Sequence, residues 1–196
     1  MHPGADQLFL HIRVVLSIIL GLSITTLLTG LASIIEHPQR HRWSPIHLGW
    51  VAWVLMSVVT FWWWEYRLAA VPVWTFGAYL FVIGYASLYF LLATLLFPGD
   101  VQEYGSYESY LIARRRWFFG LIALITLMDI ADTALKGTAR WQALGAAYPA
   151  RIAALLLICA AGAAVTRRSV QMGLVLVALV YQAAYFAIEY FTVTAA

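Results

Sequence analysis

Four carboxylates stand inside apolar stretches of this chain, at Glu65, Asp129, Asp132 and Glu189. An ionisable group in a segment otherwise fit for lipid is costly, so each is a candidate for taking up a proton or a cation. Thr126, Asp129, Thr133 and Lys136 recur at three- and four-residue steps, which puts them on one helix face with Asp132 beside them. Tyr181, Tyr185 and Glu189 recur at four-residue steps and form a second polar stripe, flanked by Gln182. Helical rise turns sequence distance into depth. Asp129 lies about 20 Å beyond Arg116, and Asp132 about 24 Å. Glu65 lies about 27 Å beyond His47, and Glu189 about 31 Å beyond Arg168. All four therefore reach the same half of a bilayer, which Arg13 enters from its own end. If both stripes turn inward, an acidic cleft opens near one membrane face. The candidate binding or ion-coupling residues are Asp129, Asp132, Glu189, Tyr185, Glu65 and Arg13, with Asp129 the deepest charge. The structural alternative is that Asp132 pairs with Lys136, and Glu65 with Arg13 or Arg67, as ties between helices.

Other chemistries are weaker. The loop from Glu36 to His47 holds three of the five histidines, and His37 and His41 have a spacing that a metal could use. Pro38 interrupts a helix there, and Arg40 and Arg42 would repel a cation, so no metal site is expected. No histidine lies mid-span for a haem, and the single lysine, Lys136, is not in the last helix, where a retinal Schiff base would need it. Phosphate-binding glycine loops, serine elbows and HExxH motifs are absent. No cofactor is expected, and the reading leans away from an enzyme. The stretch after Asp100 carries Tyr104, Tyr107 and Tyr110 before Arg114-Arg115-Arg116. It reads as a short interfacial helix whose three arginines meet lipid headgroups.

The elements that must hold these residues follow from composition. Of 196 residues, 63% are hydrophobic and only 11% charged. A soluble domain has about 25% charged residues, so a soluble enzyme, a disordered chain and a nucleic-acid-binding protein are excluded. One cysteine, Cys159, excludes a disulfide scaffold. A bilayer core needs about 20 apolar residues of helix, and six segments meet that length. Their approximate bounds are 8–35, 48–69, 73–97, 117–135, 149–166 and 170–193. The expected fold is an all-α polytopic bundle of six transmembrane helices with short loops, forming a single membrane domain over 1–196. The first segment is too long for the apolar core of a cleavable leader, and reads as a retained helix.

Six spans put both termini on one side, called side A here. Side A collects Arg13, Arg67, Lys136, Arg140 and Arg151, while side B collects Arg40, Arg42, Arg114, Arg115, Arg116, Arg167 and Arg168. The tight clusters on side B make it the expected cytoplasmic face of a cell (inner) membrane, with both termini outside. Trp62, Trp63, Trp64 and Trp74 read as the side-A aromatic belt, and Trp43, Trp50, Trp53 and Trp117 as the side-B belt. Gly21, Thr25, Thr29 and Ser33 form a small-residue stripe suited to close helix packing. Membrane lipids are expected partners, with a partner membrane protein or a second copy beside them. Two functions from different classes follow. One is a small carrier, channel or embedded binding subunit built on the acidic cleft. The other is an accessory or scaffold subunit whose charges are structural. A lipid-active enzyme using the carboxylates as acid and base is a third and weaker reading.

Overall fold

The structure, a computed structural model, describes residues 3–37, 43–71 and 73–193, with side chains described there except at 3–8, 70, 139 and 188–193. Arg40, His41 and Arg42 of the histidine loop therefore lie outside the described residues, as does Pro72. The described chain is helical and contains no strand. Eight α-helices follow in order: α1 (Pro3–Glu36), α2 (Pro45–Trp64), α3 (Phe76–Leu96), α4 (Tyr107–Ala113), α5 (Arg115–Leu135), α6 (Thr138–Leu144), α7 (Ala147–Ala164) and α8 (Arg168–Val193). All but α4 and α6 are long and apolar enough to cross a membrane.

Local chemistry sets the helix starts. Ser44 accepts a hydrogen bond from the His47 amide and Pro45 occupies the first turn, so α2 begins three residues before the expected Leu48. Thr75 accepts from the Ala78 amide at 3.1 Å and starts α3. Ser106 does the same for the Ser109 amide at 3.1 Å and starts α4. Gly137, at φ +95°, makes the turn between α5 and α6 in a backbone region that side chains disfavour. At the end of α2 the backbone tightens into a 3₁₀ segment over Glu65–Ala70.

The six long helices close into a ring in the order α1, α3, α5, α7, α8, α2, with α2 also touching α3. More than half of the α2 span is buried, against 22–39% of the others, so α2 is the most enclosed helix. Outward faces are apolar. Leu10, Val14, Ile18 and Leu22 are exposed at four-residue steps along α1, a stripe suited to lipid rather than water.

Two expectations need correction. Trp50 and Trp53 are not part of an interfacial belt: they are 1% and 4% exposed and lie in the core. Trp50 meets Phe118, Phe119 and Trp53 edge to face at 5.2, 5.3 and 5.7 Å, a favoured aromatic geometry. Trp43, Trp62, Trp63 and Trp117 do face outward. Of the stripe, Gly21, Thr25 and Thr29 are exposed and Ser33 is half-buried, and among the described residues nothing approaches Gly21 closely. Close approach uses other glycines instead: Gly30 against Phe97, Gly49 against Val175 and Gly162 against Phe119, where a Cβ would collide. The side-B half also holds a buried polar side chain. His47 is fully buried, with Nε2 at 2.8 Å from the Leu96 carbonyl oxygen.

Candidate functional site

The most polar interior space lies at the side-A end, where α2, α5 and α7 bring their charged ends together. Glu65 sits at the residue where α2 gives way to the 3₁₀ segment. Lys136 caps α5, one helical turn after Asp132. Its Nζ donates to Glu65 Oε1 at 2.8 Å and to Asp132 Oδ2 at 2.6 Å. All three side chains are only 4–6% exposed. One ammonium thus serves two carboxylates. The second oxygens, Glu65 Oε2 and Asp132 Oδ1, are buried without a hydrogen-bond partner. A buried charge normally has its lone pairs satisfied, and Asp129 Oδ2 shares this lack of a hydrogen-bond partner.

The third acid is held differently. Asp129 Oδ2 lies 3.7 Å from Arg151 Nη1 of α7, and its side chain is 28% exposed. Arg151 also lies over the Tyr185 ring of α8, 4.9 Å from the centroid. Thr133 donates to the Tyr148 hydroxyl, which donates in turn to the Asp129 carbonyl oxygen, both at 3.0 Å. Nearer the mouth, the Arg140 and Arg67 guanidinium groups stack on Trp64 at 4.5 and 5.2 Å. These residues line one narrow, partly open cavity. The cavity lining carries three carboxylates (Glu65, Asp129, Asp132) and four cations (Arg67, Lys136, Arg140, Arg151), with Lys136 bonded to Glu65 and Asp132 and Arg151 beside Asp129. Beyond Trp53, toward side B, the aromatic cluster of Trp50, Phe118 and Phe119 fills the interior.

Of the six candidates read from sequence, Glu65, Asp129, Asp132 and Tyr185 line this cavity together. Glu189 is on the α8 backbone, but its side chain lies outside the described residues. Arg13 is elsewhere: it is exposed on the outer face, in a groove between α1 and the end of α2. Glu65 therefore pairs with neither Arg13 nor Arg67 but with Lys136. Asp129 is not the most enclosed acid; that place belongs to Glu65 and Asp132, because α5 turns Asp132 inward. Arg114, Arg115 and Arg116 are at the opposite end of the bundle. Arg114 donates to the Tyr104 hydroxyl at 2.9 Å and Arg115 to the Ile112 carbonyl at 3.0 Å. Among the described residues no three His, Cys, Asp or Glu side chains converge as a metal would require.

Sequence reasoning missed Arg151, Tyr148, Tyr85 and Tyr89, which all line the cavity. Arg151 stands within the Ala147–Ala164 helix, so the rule that singled out the four acids could have found it; counted as a topology charge, it was passed over. The tyrosines carried no comparable signal, because their spacing resembles that of any apolar aromatic face. At side B the overlooked residue is Glu108. Its two oxygens accept from Arg168 Nε at 2.6 Å and from Ser44 Oγ at 2.5 Å, tying α4 to α8 and to the start of α2. Comparison with protein-family models, curated proteins and solved structures finds no match to the chain.

Proposed function

We propose that this multi-pass membrane protein is a small carrier, or the embedded binding subunit of one, that takes up a proton or small cation from side A on the Glu65–Asp132 pair. One observation carries the reading: a single buried ammonium is shared by two carboxylates, each with an oxygen left unpartnered. A proton or cation arriving there supplies a partner to oxygens that enclosure makes costly to leave unpaired. The step would be local. If Glu65 takes the proton, Lys136 can pair with Asp132 alone, and the charged tie between α2 and α5 weakens. The aromatic cluster beyond Trp53 favours a carrier open on one side over a continuous channel. The arginine clusters support side B as the cytoplasmic face. A reporter fused to the C-terminus would then read as external, and a cytoplasmic reading would invert the orientation.

The test is proton and cation flux in liposomes that hold the purified chain and a pH-sensitive dye. Flux above that of protein-free liposomes is expected, and Glu65→Gln and Asp132→Asn should each lower it about tenfold, a barrier change near 1.4 kcal/mol. Equal flux in wild type and both variants would overturn the ion-uptake reading. One observation favours the accessory-subunit alternative: the Gly21, Thr25 and Thr29 stripe faces outward. Purification from native membranes would discriminate, because a scaffold keeps its partner and loses it on Thr25→Leu.

A further inference from the structure

Arg13 has no role in the cavity, yet its position is chemically demanding. It sits in the apolar α1 helix, exposed on the outer face of the bundle. No carboxylate lies within ion-pair distance of it among the described residues. A guanidinium in an apolar segment is costly unless it reaches the interface or finds an anion. The surface around it is shaped for more than water. Phe9, Arg13 and Leu16 follow one face of α1, and Trp62 and Trp63 at the end of α2 form the opposite wall, with Tyr66 beyond. The Trp62 indole donates to Ser17 Oγ at 3.3 Å and so bridges the two walls. Together they bound an open groove that is mainly apolar. At its back stands Glu65, whose Oε1 is held by Lys136 and whose Oε2 is buried without a hydrogen-bond partner.

We propose that this groove binds one phospholipid of the side-A leaflet, its phosphate on Arg13 and an acyl chain running inward along the Leu16, Trp62 and Trp63 wall. Charge complementarity selects the occupant. The fixed cation at the groove matches a phosphate, to which a guanidinium can donate two parallel hydrogen bonds. The walls match hydrocarbon, and the whole groove faces the surroundings of the bundle. A free phosphate would meet Arg13 but leave the aromatic wall uncovered. A second protein chain would need a larger apolar contact than this groove offers. The inference is independent of ion uptake in the cavity.

The test is native mass spectrometry of the full chain, released from phosphatidylcholine vesicles containing a minority of phosphatidylglycerol. One retained phospholipid per chain is expected. Arg13→Gln should lower its occupancy about fivefold, the effect of one arginine at a charged lipid surface. Arg13→Lys should lower it less, and Arg116→Gln at the other end should leave it unchanged. Trp63→Ala should weaken retention through the wall rather than the phosphate. Inorganic phosphate added during release should not displace the lipid. Displacement by it would replace the lipid with a simple anion as the occupant and overturn the proposal. Equal retention by wild type and Arg13→Gln would also overturn it, as would a chain dimer lost on the same substitution. Arg13 is exposed, so failure of the variant to fold is not expected, and circular dichroism of the same sample checks that.

Discussion

The two ends of the bundle each hold carboxylates against cations, but they balance them differently. At side B, Glu108 has one guanidinium and one hydroxyl for its two oxygens, and Arg168 is largely exposed. At side A, Glu65 and Asp132 share one enclosed ammonium, and each keeps an unpartnered oxygen. The first arrangement is a satisfied clasp in contact with water. The second is under-satisfied where water and salt screen it least. Enclosure without full pairing is what separates a group available for chemistry from one that only fastens helices.

Removing the cation at each end tests that contrast most severely. Lys136→Met leaves two buried carboxylates without the cation hydrogen-bonded to both and is expected to cost about 3–5 kcal/mol. The loss should appear as a lower midpoint of thermal unfolding in detergent, insensitive to added salt. An unchanged midpoint would mean that the cluster is hydrated and that the contrast is false. Between the two ends, Gly162→Val drives a side chain into the Phe119 ring and should cost about 1–3 kcal/mol by overpacking. Gly21→Val, on the exposed stripe, should leave the monomer's midpoint unchanged. A loss at Gly21 as large as that at Gly162 would show that the stripe is covered by a partner.

The smallest effect belongs to the clasp. Arg168→Gln should cost at most about 1 kcal/mol, because the pair is exposed and screened. Burial alone would raise the Glu108 carboxyl, but the hydrogen bonds from Arg168 and Ser44, with the Arg168 charge, outweigh it and hold it below the usual carboxylate range. A lowered carboxylate contributes stability that is full above the ordinary range and is lost as pH falls through the lowered value. The wild type should therefore lose a small part of its stability on acidification that Arg168→Gln lacks. Unfolding midpoints of the two chains, followed from neutral pH to acid, would show it. Added salt should weaken the clasp as well, which the Lys136 cluster should resist.

Much of this molecule was legible before any coordinates. The six apolar runs became the six long helices, and the interruption before Arg114 became the short helix α4. Those features depend on composition over one helix length and on local breakers such as Ser44-Pro45 and Ser106. The acids were legible too, because an ionisable residue in an apolar run stands out locally. Their partners were not. Glu65 and Lys136 are separated by 71 positions, and no spacing rule reaches across that distance. Trp50 and Trp53 illustrate the same limit, since a tryptophan near a helix end suits a belt and a core equally well until the helix rotation is known.

The amino-acid sequence by itself determined that the chain is a helical membrane bundle, where its spans lie, and that the acids within those spans fall toward one end. The physical reason is that hydrophobic length and the cost of a charge in lipid are properties of a residue and its near neighbours. Only the tertiary structure decided which charges meet. It turned Asp132 inward and left Asp129 half open, brought Arg151 into the cavity, and put Arg13 on the outer face. Those outcomes depend on how each helix rotates against its neighbours, which is settled by packing among residues far apart in the chain, such as Gly162 against Phe119.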